Sequence, residues 1–312
     1  MQSPQTTPGQ SINNENEALL ASTTDDYGTS YYFRGNVQNN YLIFAGKCWR
    51  IVRITGNGSG TGSNAIKIVL QNNNGTDCSV FNSAGESAFN YAPGINSSAS
   101  GIGFMYGNPT GGSYNTAQAN TYDSIILSFL KGWYEDIFSD NQKSQLADVI
   151  WCNDKKVVEG NGYGSTNSYF AGTRRAWQKS EAVTLICPNA GSDNKFSKFT
   201  ASDTVYGNGA LDGYKIGLLT ADEVAFAGAT YGTNNNSYYL NNKQPYWTMT
   251  PVNIYNSDVA IYFIGTTGQF GLHSAFTKHG VRPSVALLST TKYSLNNPNA
   301  TPGTVNNPYI VN

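Results

Sequence analysis

The chain has 312 residues, enough for one large domain or two smaller ones. Its net charge is −1 and no Lys/Arg cluster exceeds a pair, which excludes the basic stripe that nucleic-acid binding requires. Charged residues make up only 12%, against roughly 25% in an average domain, so Asn, Ser, Thr, Gly and Tyr must cover the surface. Antibody binding loops favour several of these residues, although exported bacterial proteins share the same composition.

The N-terminal third predicts a polar lead followed by strands. Residues 1–20 are rich in Pro and Gln and predict a disordered lead or linker, with a single domain over 21–312. Apolar runs separated by turn-rich segments predict successive strands at 31–34, 41–45, 48–54 and 66–70. In the third of these strands we expect Arg50 and Arg53 to face outward.

Two helices are predicted next, between long loops at 82–119 and 156–182. The first begins at Asn120, whose side chain can cap it, and Asp123 favours its N-terminus. Its apolar residues recur at helical spacing and predict a face buried in the core. A second, weaker helix is predicted at 140–149.

The second half predicts further strands and one well-marked helix. Thr220 and Glu223 form a capping box, and Gly228 ends the helix that they begin. Strands are predicted at 183–187, 215–220, 246–250, 259–265, 269–272 and 281–288. Together these elements predict an α+β domain with a β-meander core, two or more helices and long loops.

Four cysteines are present, an even number that fits disulfides. We expect the bridges Cys48–Cys78 and Cys152–Cys187, with four reduced and buried thiols as the alternative. No CxxC motif occurs and the two histidines lie far downstream, so neither a metal site nor a cofactor is predicted. The Asn/Asp-rich segment 189–194 could supply oxygen ligands to calcium, but it lacks EF-hand spacing.

Several segments together resemble a family of bacterial surface proteins of the DUF6273 type. The resemblance runs from about Tyr27 to Val311 and rests on YYFRGNVQNNYLIFAGKCWRIVRI, GNGALDGYKIGLLTADEVAFAG, NSYYLNNKQPYWTMTP and GVRPSVALLS. That family is similar to the C-type-lectin-like fold of formylglycine-generating enzymes and of the variable proteins of diversity-generating retroelements. The resemblance therefore implies this fold for the whole domain.

In such folds a C-terminal segment with a Trp, a β-meander and a closing Gly-(Phe/Val)-Arg carries the ligand face. Trp247 and Gly280-Val281-Arg282 match those places. We expect Trp247 and Arg282 to be structural, because a guanidinium has five donors that can bind several loop carbonyls at once. A substrate-binding role for Arg282 is the alternative.

Enzymatic chemistry is not predicted. Formylglycine-generating enzymes use cysteines in their C-terminal part, and no cysteine follows Cys187. No GxSxG motif is present, and only His273 and His279 offer an imidazole base. The adjacent Asp222 and Glu223 are explained by the dipole of the helix that they begin.

A ligand face is predicted instead within 253–279, where apolar and polar residues alternate. We expect Val259, Ile261 and Phe263 to face the core, with Tyr262 and its neighbours on the opposite, exposed side. A core position for Phe270 and Leu272 is the alternative. The candidate binding residues are Asn253, Tyr255, Asn256, Tyr262, Gln269, Phe270, Leu272, His273 and His279.

Most residues of the run GLHSAFTKHG can be reached from an AAC codon by changing adenines, although Lys278 cannot. The run is thus compatible with a diversified binding face, and short polar runs also arise by chance. The predicted function is that of a secreted or surface-displayed, adhesin-like binding protein. Its partner would be a protein or glycan on another cell or host surface, with any membrane attachment through a missing N-terminal segment. A pilin-like or surface-layer subunit is the alternative.

Overall fold

The computed structural model describes residues 8–10, 17–90, 101–108, 110–188, 196–202 and 211–312. Over these residues the protein is mixed α+β, with many strands and few helices. The helices are α1 (Tyr114–Ala117), α2 (Ile125–Ile137), α3 (Asp140–Ser144) and α4 (Ala221–Ala227), with a π-helical turn at Thr173–Trp177.

Most of the strands belong to two sheets. In chain order they are β1 (Ala18–Asp25), β2 (Gly28–Gly35), β3 (Tyr41–Phe44), β4 (Lys47–Ile54), β5 (Ile66–Asn72), β6 (Glu86–Ala88), β7 (Met105–Tyr106), β8 (Tyr122–Asp123), β9 (Trp151–Cys152), β10 (Val157–Glu159), β11 (Ser168–Phe170), β12 (Lys198–Phe199), β13 (Tyr246–Tyr255), β14 (Asp258–Ile264), β15 (Phe270–Ser274), β16 (Lys278–Gly280), β17 (Ser284–Leu287), β18 (Tyr293–Leu295) and β19 (Tyr309–Val311). The first sheet has the order β1-β2-β4-β3-β19-β18, with β5 beside β4 and β17 beside β5. The second has the order β10-β11-β13-β14-β15, with β16 beside β13 and β6 beside β16.

The first sheet contains the four strands predicted from the N-terminal third, as β2 to β5. It also contains β1, which pairs with β2 along its whole length. Residues 18–20 are predicted to be part of the disordered lead, but they belong to the sheet. Backbone hydrogen bonds to β2 order them although the residues before them are polar. Residues 1–7 and 11–16 of the predicted lead lie outside the described part of the chain.

Strand β14, which lies between β13 and β15 in the second sheet, is buried on both faces. Val259 and Ile261 join an apolar cluster that also contains the buried side of α2. Ala260 and Tyr262, on the opposite face, join a second cluster that contains α4. Alternation along this strand therefore separates two cores, and neither face is open to solvent.

The helix predicted from Asn120 begins four residues later. Ser124 is the N-cap of α2, and its hydroxyl accepts the N–H of Leu127 at 3.3 Å. The amide of Asn120 instead donates to the carbonyl of Phe196 at 3.1 Å. The second predicted helix is also shorter than expected, because the chain after α3 bonds to the first sheet through the N–H of Ala147.

Helix α4 begins and ends where the sequence predicts. The hydroxyl of Thr220 accepts the N–H of Glu223 at 3.1 Å, and the Glu223 carboxylate accepts the N–H of Thr220 at 3.0 Å. Gly228 ends the helix with a φ of 134°, a value that side-chain-bearing residues rarely adopt. Local capping chemistry thus sets both boundaries.

Two segments that are predicted to be strands, 183–187 and 215–220, do not form strands in the described part of the chain. Each contributes one isolated β-bridge. In the first segment, the N–H groups of Thr184 and Cys187 donate to the carboxylates of Asp222 and Asp26 at 3.0 and 3.1 Å. Side-chain acceptors therefore take the place of a neighbouring strand.

The structure joins Cys48 to Cys78 and Cys152 to Cys187, the two bridges expected from the sequence. Their sequence separations are 30 and 35 residues. Closing loops of this length stabilises a fold by roughly 3–4 kcal/mol per bridge in the chain-entropy model. We therefore expect the double substitution Cys48→Ser/Cys78→Ser to lower the free energy of unfolding by about that amount, measured by denaturant titration. Free thiols or crossed pairing in an unreduced peptide map of the wild type would contradict this assignment.

Trp247 and Arg282 both lie in the interior, 1% exposed. Arg282 donates to the carbonyls of Leu70 and Leu240 at 2.8 and 2.9 Å. These carbonyls come from β5 and from the segment before β13, so the guanidinium connects the first sheet to that segment. The indole N–H of Trp247 donates to the carbonyl of Ser87 at 3.0 Å and connects β13 to β6.

Candidate ligand-binding site

The predicted C-terminal face is partly buried. Its exposed or half-buried residues are Tyr255, Asn256, Gln269, Leu272 and His273. Its buried residues are Asn253, Tyr262, Phe270 and His279. The expectation that Tyr262 lies on an exposed aromatic patch is wrong, because the second core covers that side of β14. Its hydroxyl donates to the carbonyl of Gly172 at 3.3 Å inside the protein.

The two histidines form a pair at the edge of this region. Nδ1 of His273 lies 2.7 Å from Nε2 of His279, and both rings stack on Phe263 with centroid distances of 4.4 Å. Burial and the neighbouring His273 lower the pKa of His279 to about 4. His279 is therefore neutral at neutral pH and packs as a core aromatic, beside Trp247 at 4.6 Å.

A different region has the geometry of a binding site. A groove of about 430 Å³ lies at one end of the first sheet, within the usual range for small-ligand sites. Its walls come from β3, β4 and β5, from the segment after β5, and from the segment 236–244. The aromatic side chains that line it are Tyr41, Phe81, Tyr238 and Tyr239. We call it the polar groove, because most of its other lining residues carry amides.

Asparagine side chains shape the segment 236–244. The side-chain oxygens of Asn241 and Asn242 accept the backbone N–H groups two residues ahead, of Lys243 and Gln244, at 3.0 and 2.9 Å. Such Asx turns replace regular backbone pairing. The N–H of Tyr239 ties this segment to the end of β2 through the carbonyl of Gly35 at 2.9 Å.

Arg50 forms the charged wall of the polar groove. Its guanidinium carbon lies 3.8 Å from the ring centre of Tyr41 and 5.1 Å from that of Tyr239. Nε donates to the side chain of Asn40 and Nη2 to the carbonyl of Val37, both at 2.6 Å. Burial lowers the pKa of Arg50 to about 10, so it remains charged at neutral pH. The expected outward orientation of Arg50 is therefore wrong, because two tyrosines cover it.

Two buried donors in the groove have no protein acceptor. Among the described residues, neither the hydroxyl of Tyr239 nor Nδ2 of Asn242 has a hydrogen-bond partner. Tyr239 is 6% exposed, and burial raises the pKa of its phenol, so the hydroxyl keeps its proton. An unpaired buried donor costs about 1–3 kcal/mol. A ligand that accepts these two hydrogen bonds would offset that cost.

Charged side chains also meet in the interior, in what we call the ionic cluster. In its first half, Glu223 accepts from Arg53 at 2.9 Å and from Lys67 at 2.6 Å, and Arg53 also pairs with Asp25 at 2.5 Å. Burial alone would raise the pKa of Glu223, but Lys67 and Arg53 outweigh burial and lower it to about 2. Arg53, expected to face outward, is therefore buried because two carboxylates neutralise it.

In the second half of the ionic cluster, Arg175 pairs with Asp222 at 2.7 Å and with Asp154. A cavity of about 30 Å³ lies among these groups, beside the Cys152–Cys187 bridge. That volume holds about two water molecules, since each needs roughly 10–15 Å³. The cavity is too small for an organic substrate. Asp222 and Glu223 are therefore partners of buried cations, a role beyond the helix-dipole interaction expected from the sequence.

Comparison with protein-family models, with curated proteins and with solved structures gave no match. Within the described ranges, no three His, Cys, Asp or Glu side chains are arranged to hold a metal ion. The possible calcium segment 189–194 lies outside the described residues. No helix of the described chain is long and apolar enough to cross a membrane.

Proposed function

We propose that the protein is a binding protein of the cell surface or the extracellular space, not an enzyme, and that its ligand occupies the polar groove. The observation that carries the proposal is the polar groove itself, whose lining residues Tyr239 and Asn242 each carry a buried donor without a hydrogen-bond partner in the described part of the chain. The two disulfides support an extracellular location, because such bonds persist in oxidising compartments.

The chemistry of the lining favours binding over catalysis. Among the described residues that line the groove there is no histidine, and the Ser79 hydroxyl donates to the carboxylate of Asp77 at 2.6 Å, a contact that lowers the pKa of Asp77 and makes it a weak base. A serine nucleophile needs an adjacent base. In the ionic cluster, Lys67 and Arg53 outweigh burial and lower the pKa of Glu223 to about 2, so Glu223 holds no proton to donate near neutral pH.

We also propose that the domain has the C-type-lectin-like fold, and that its partner is a protein or glycan on another cell or host surface. Support for this fold comes from the sequence segments that resemble the surface-protein family. The mixed sheet architecture is compatible with it. The exposed residues Tyr255, Asn256 and His273 are available as a second contact region or a diversified edge.

Two matched double variants test where the ligand binds. Phe81→Ala/Lys243→Ala changes the polar groove, and Tyr255→Ala/His273→Ala changes exposed residues of the C-terminal face. On an array of immobilised glycans and cell-surface peptides, we expect the groove variant to lose binding and the face variant to keep it. Both should remain folded with some loss of stability, because Phe81 packs beside Arg282 and His273 contacts His279, so the melting temperature of each is measured alongside its binding.

The reverse result would move the ligand site to the C-terminal face and contradict the groove assignment. If the wild type binds nothing on the array and instead assembles into filaments or layers, the binding role is wrong. The structural-subunit alternative would then replace it.

A further inference from the structure

We infer that the ligand of the polar groove is an acidic sugar, whose anionic group pairs with Arg50. The inference rests on the proposed function and adds the chemical class of the ligand. It starts from the charges of the groove. The described lining contains two cationic side chains, Arg50 and Lys243, and no Asp or Glu.

Arg50 lacks the counter-charge that two other buried arginines have. Arg53 and Arg175 each pair with two carboxylates in the ionic cluster. Among the described residues, the hydrogen bonds of Arg50 go to the neutral oxygens of Asn40 and Val37. Burying a charge is unfavourable unless it is paired. An anion in the groove would supply to Arg50 the partner that the ionic cluster supplies to Arg53 and Arg175.

A second buried cation strengthens the positive potential behind the groove wall. Arg282 donates to the carbonyls of Leu70 and Leu240 and, at 3.4 Å, to the side-chain oxygen of Gln71, all of them neutral groups. Its guanidinium lies 5.3 Å from the ring of Phe81, which lines the groove. In a poorly solvated wall, two cations that pair with no described carboxylate attract an anion more strongly than they would in water.

The remaining lining fits hydroxyl groups. The hydroxyl of Tyr239 and Nδ2 of Asn242 have no acceptor among the residues that the structure describes, and ring or hydroxyl oxygens of a sugar could provide one. Asn36, Gln38 and Gln244 add amides at the rim, and Phe81 adds an apolar surface for the C–H face of a ring. A groove of about 430 Å³ suits one or two sugar rings.

Calorimetric titration of the full chain with three probes tests the inference: glucuronate, glucose and glucose 6-phosphate. Glucuronate carries a carboxylate where glucose carries a neutral hydroxymethyl group, and glucose 6-phosphate carries a phosphate ester there. The three probes therefore compare a neutral group, a carboxylate and a phosphate at the same position of the sugar. We expect glucuronate or the phosphate ester to bind about tenfold or more tightly than glucose, because a hydrogen bond to a charged group contributes on that order. The preference should fall as salt is added.

Two variants assign that preference to groove residues. Arg50→Gln should remove the advantage of the charged probe over glucose. Tyr239→Phe removes only an unpaired hydroxyl, so it should melt at or above the wild-type temperature while weakening all three probes. The phenylalanine variant keeps the test informative if Arg50→Gln fails to fold. Unchanged affinities in a folded Tyr239→Phe would contradict the placement of the sugar.

The outcomes separate this inference from the proposed function. Equal binding of glucose and glucuronate overturns the acidic class and leaves a polar-ligand groove standing. Binding of none of the three probes, by a chain that still binds neutral glycans on the array through the groove, also overturns only the inference. Binding of nothing in either experiment overturns both. The stronger of the two charged probes identifies the anionic group as carboxylate or phosphate.

Discussion

Glu223→Gln is expected to lower the free energy of unfolding by about 3–5 kcal/mol, because it leaves buried cations without their shared carboxylate. Glu223 is 4% exposed and accepts from both Arg53 and Lys67. Glutamine keeps the size of the side chain but removes its charge, so Lys67 loses its only ion-pair partner among the described residues. Denaturant titration at neutral pH measures the loss.

The exposed pair of Arg174 and Glu181 provides a matched control. These side chains lie 3.2 Å apart and are each 42% exposed. Glu181→Gln should cost less than about 1 kcal/mol, since solvent screens surface ion pairs. If the two glutamine variants lose the same small amount of stability, the ionic cluster does not stabilise the fold as we describe.

The same contact predicts a dependence on acid. The pKa of Glu223 is lowered from 4.5 to about 2 in the folded protein, so its contribution is complete above the unfolded value. The contribution is lost as pH falls from 4.5 towards 2. The stability difference between wild type and Glu223→Gln should therefore shrink across this interval. A constant difference would mean that another group controls acid unfolding.

Helix α4 shows what local sequence can and cannot predict. Its capping box and terminal glycine involve residues within one or two turns of each other, and both boundaries follow from them. The same Glu223 also binds Lys67 and Arg53, which are 156 and 170 positions away. No local pattern encodes such a contact, so the ionic cluster could not be predicted from the sequence.

Strand β4 shows why the outward orientation predicted for its two arginines is wrong. Arg50 and Arg53 are the two charged residues of the otherwise apolar run CWRIVRI, which is why both are expected to face outward, although alternation places positions three apart on opposite faces. Here the segment around Tyr239 covers Arg50, and α4 covers Arg53. The exposure predicted for Tyr262 in β14 is wrong for the same reason, because the second core covers that face of the strand. Distant segments of the chain decide whether the second face of a strand is covered, so the sequence of the strand alone does not reveal it.

The polar groove combines segments that are distant in sequence, and its position depends on the fold of the first sheet. Composition did indicate a surface rich in Tyr and Asn, the residue types of adaptable binding loops. The Asn-rich runs before β3 and before β13 supply much of the lining. The composition therefore agrees with the lining of the polar groove, while the ligand face predicted within 253–279 stays a prediction.

Trp247→Ala is expected to destabilise the protein by about 3–5 kcal/mol, as large-to-small changes of buried aromatics do. The indole packs edge-on against Phe89 at 5.7 Å and Phe263 at 6.3 Å, and against the ring of His279 at 4.6 Å. Alanine would leave a cavity between β13 and β6. It would also leave the carbonyl of Ser87 without the indole donor.

Two further variants separate these causes, measured together by denaturant titration. Trp247→Phe keeps most of the ring and loses the indole N–H, so it should lose clearly less stability than alanine. Tyr255→Ala changes the exposed end of the same strand, where the side chain is 50% exposed, and should stay within about 0.5 kcal/mol of wild type. Equal losses for Trp247→Ala and Trp247→Phe would show that the hydrogen bond to Ser87, and not the packing, joins β13 to β6. A Trp247→Ala protein as stable as Tyr255→Ala would mean that the indole does not belong to the core, and that the strand packing described here is wrong.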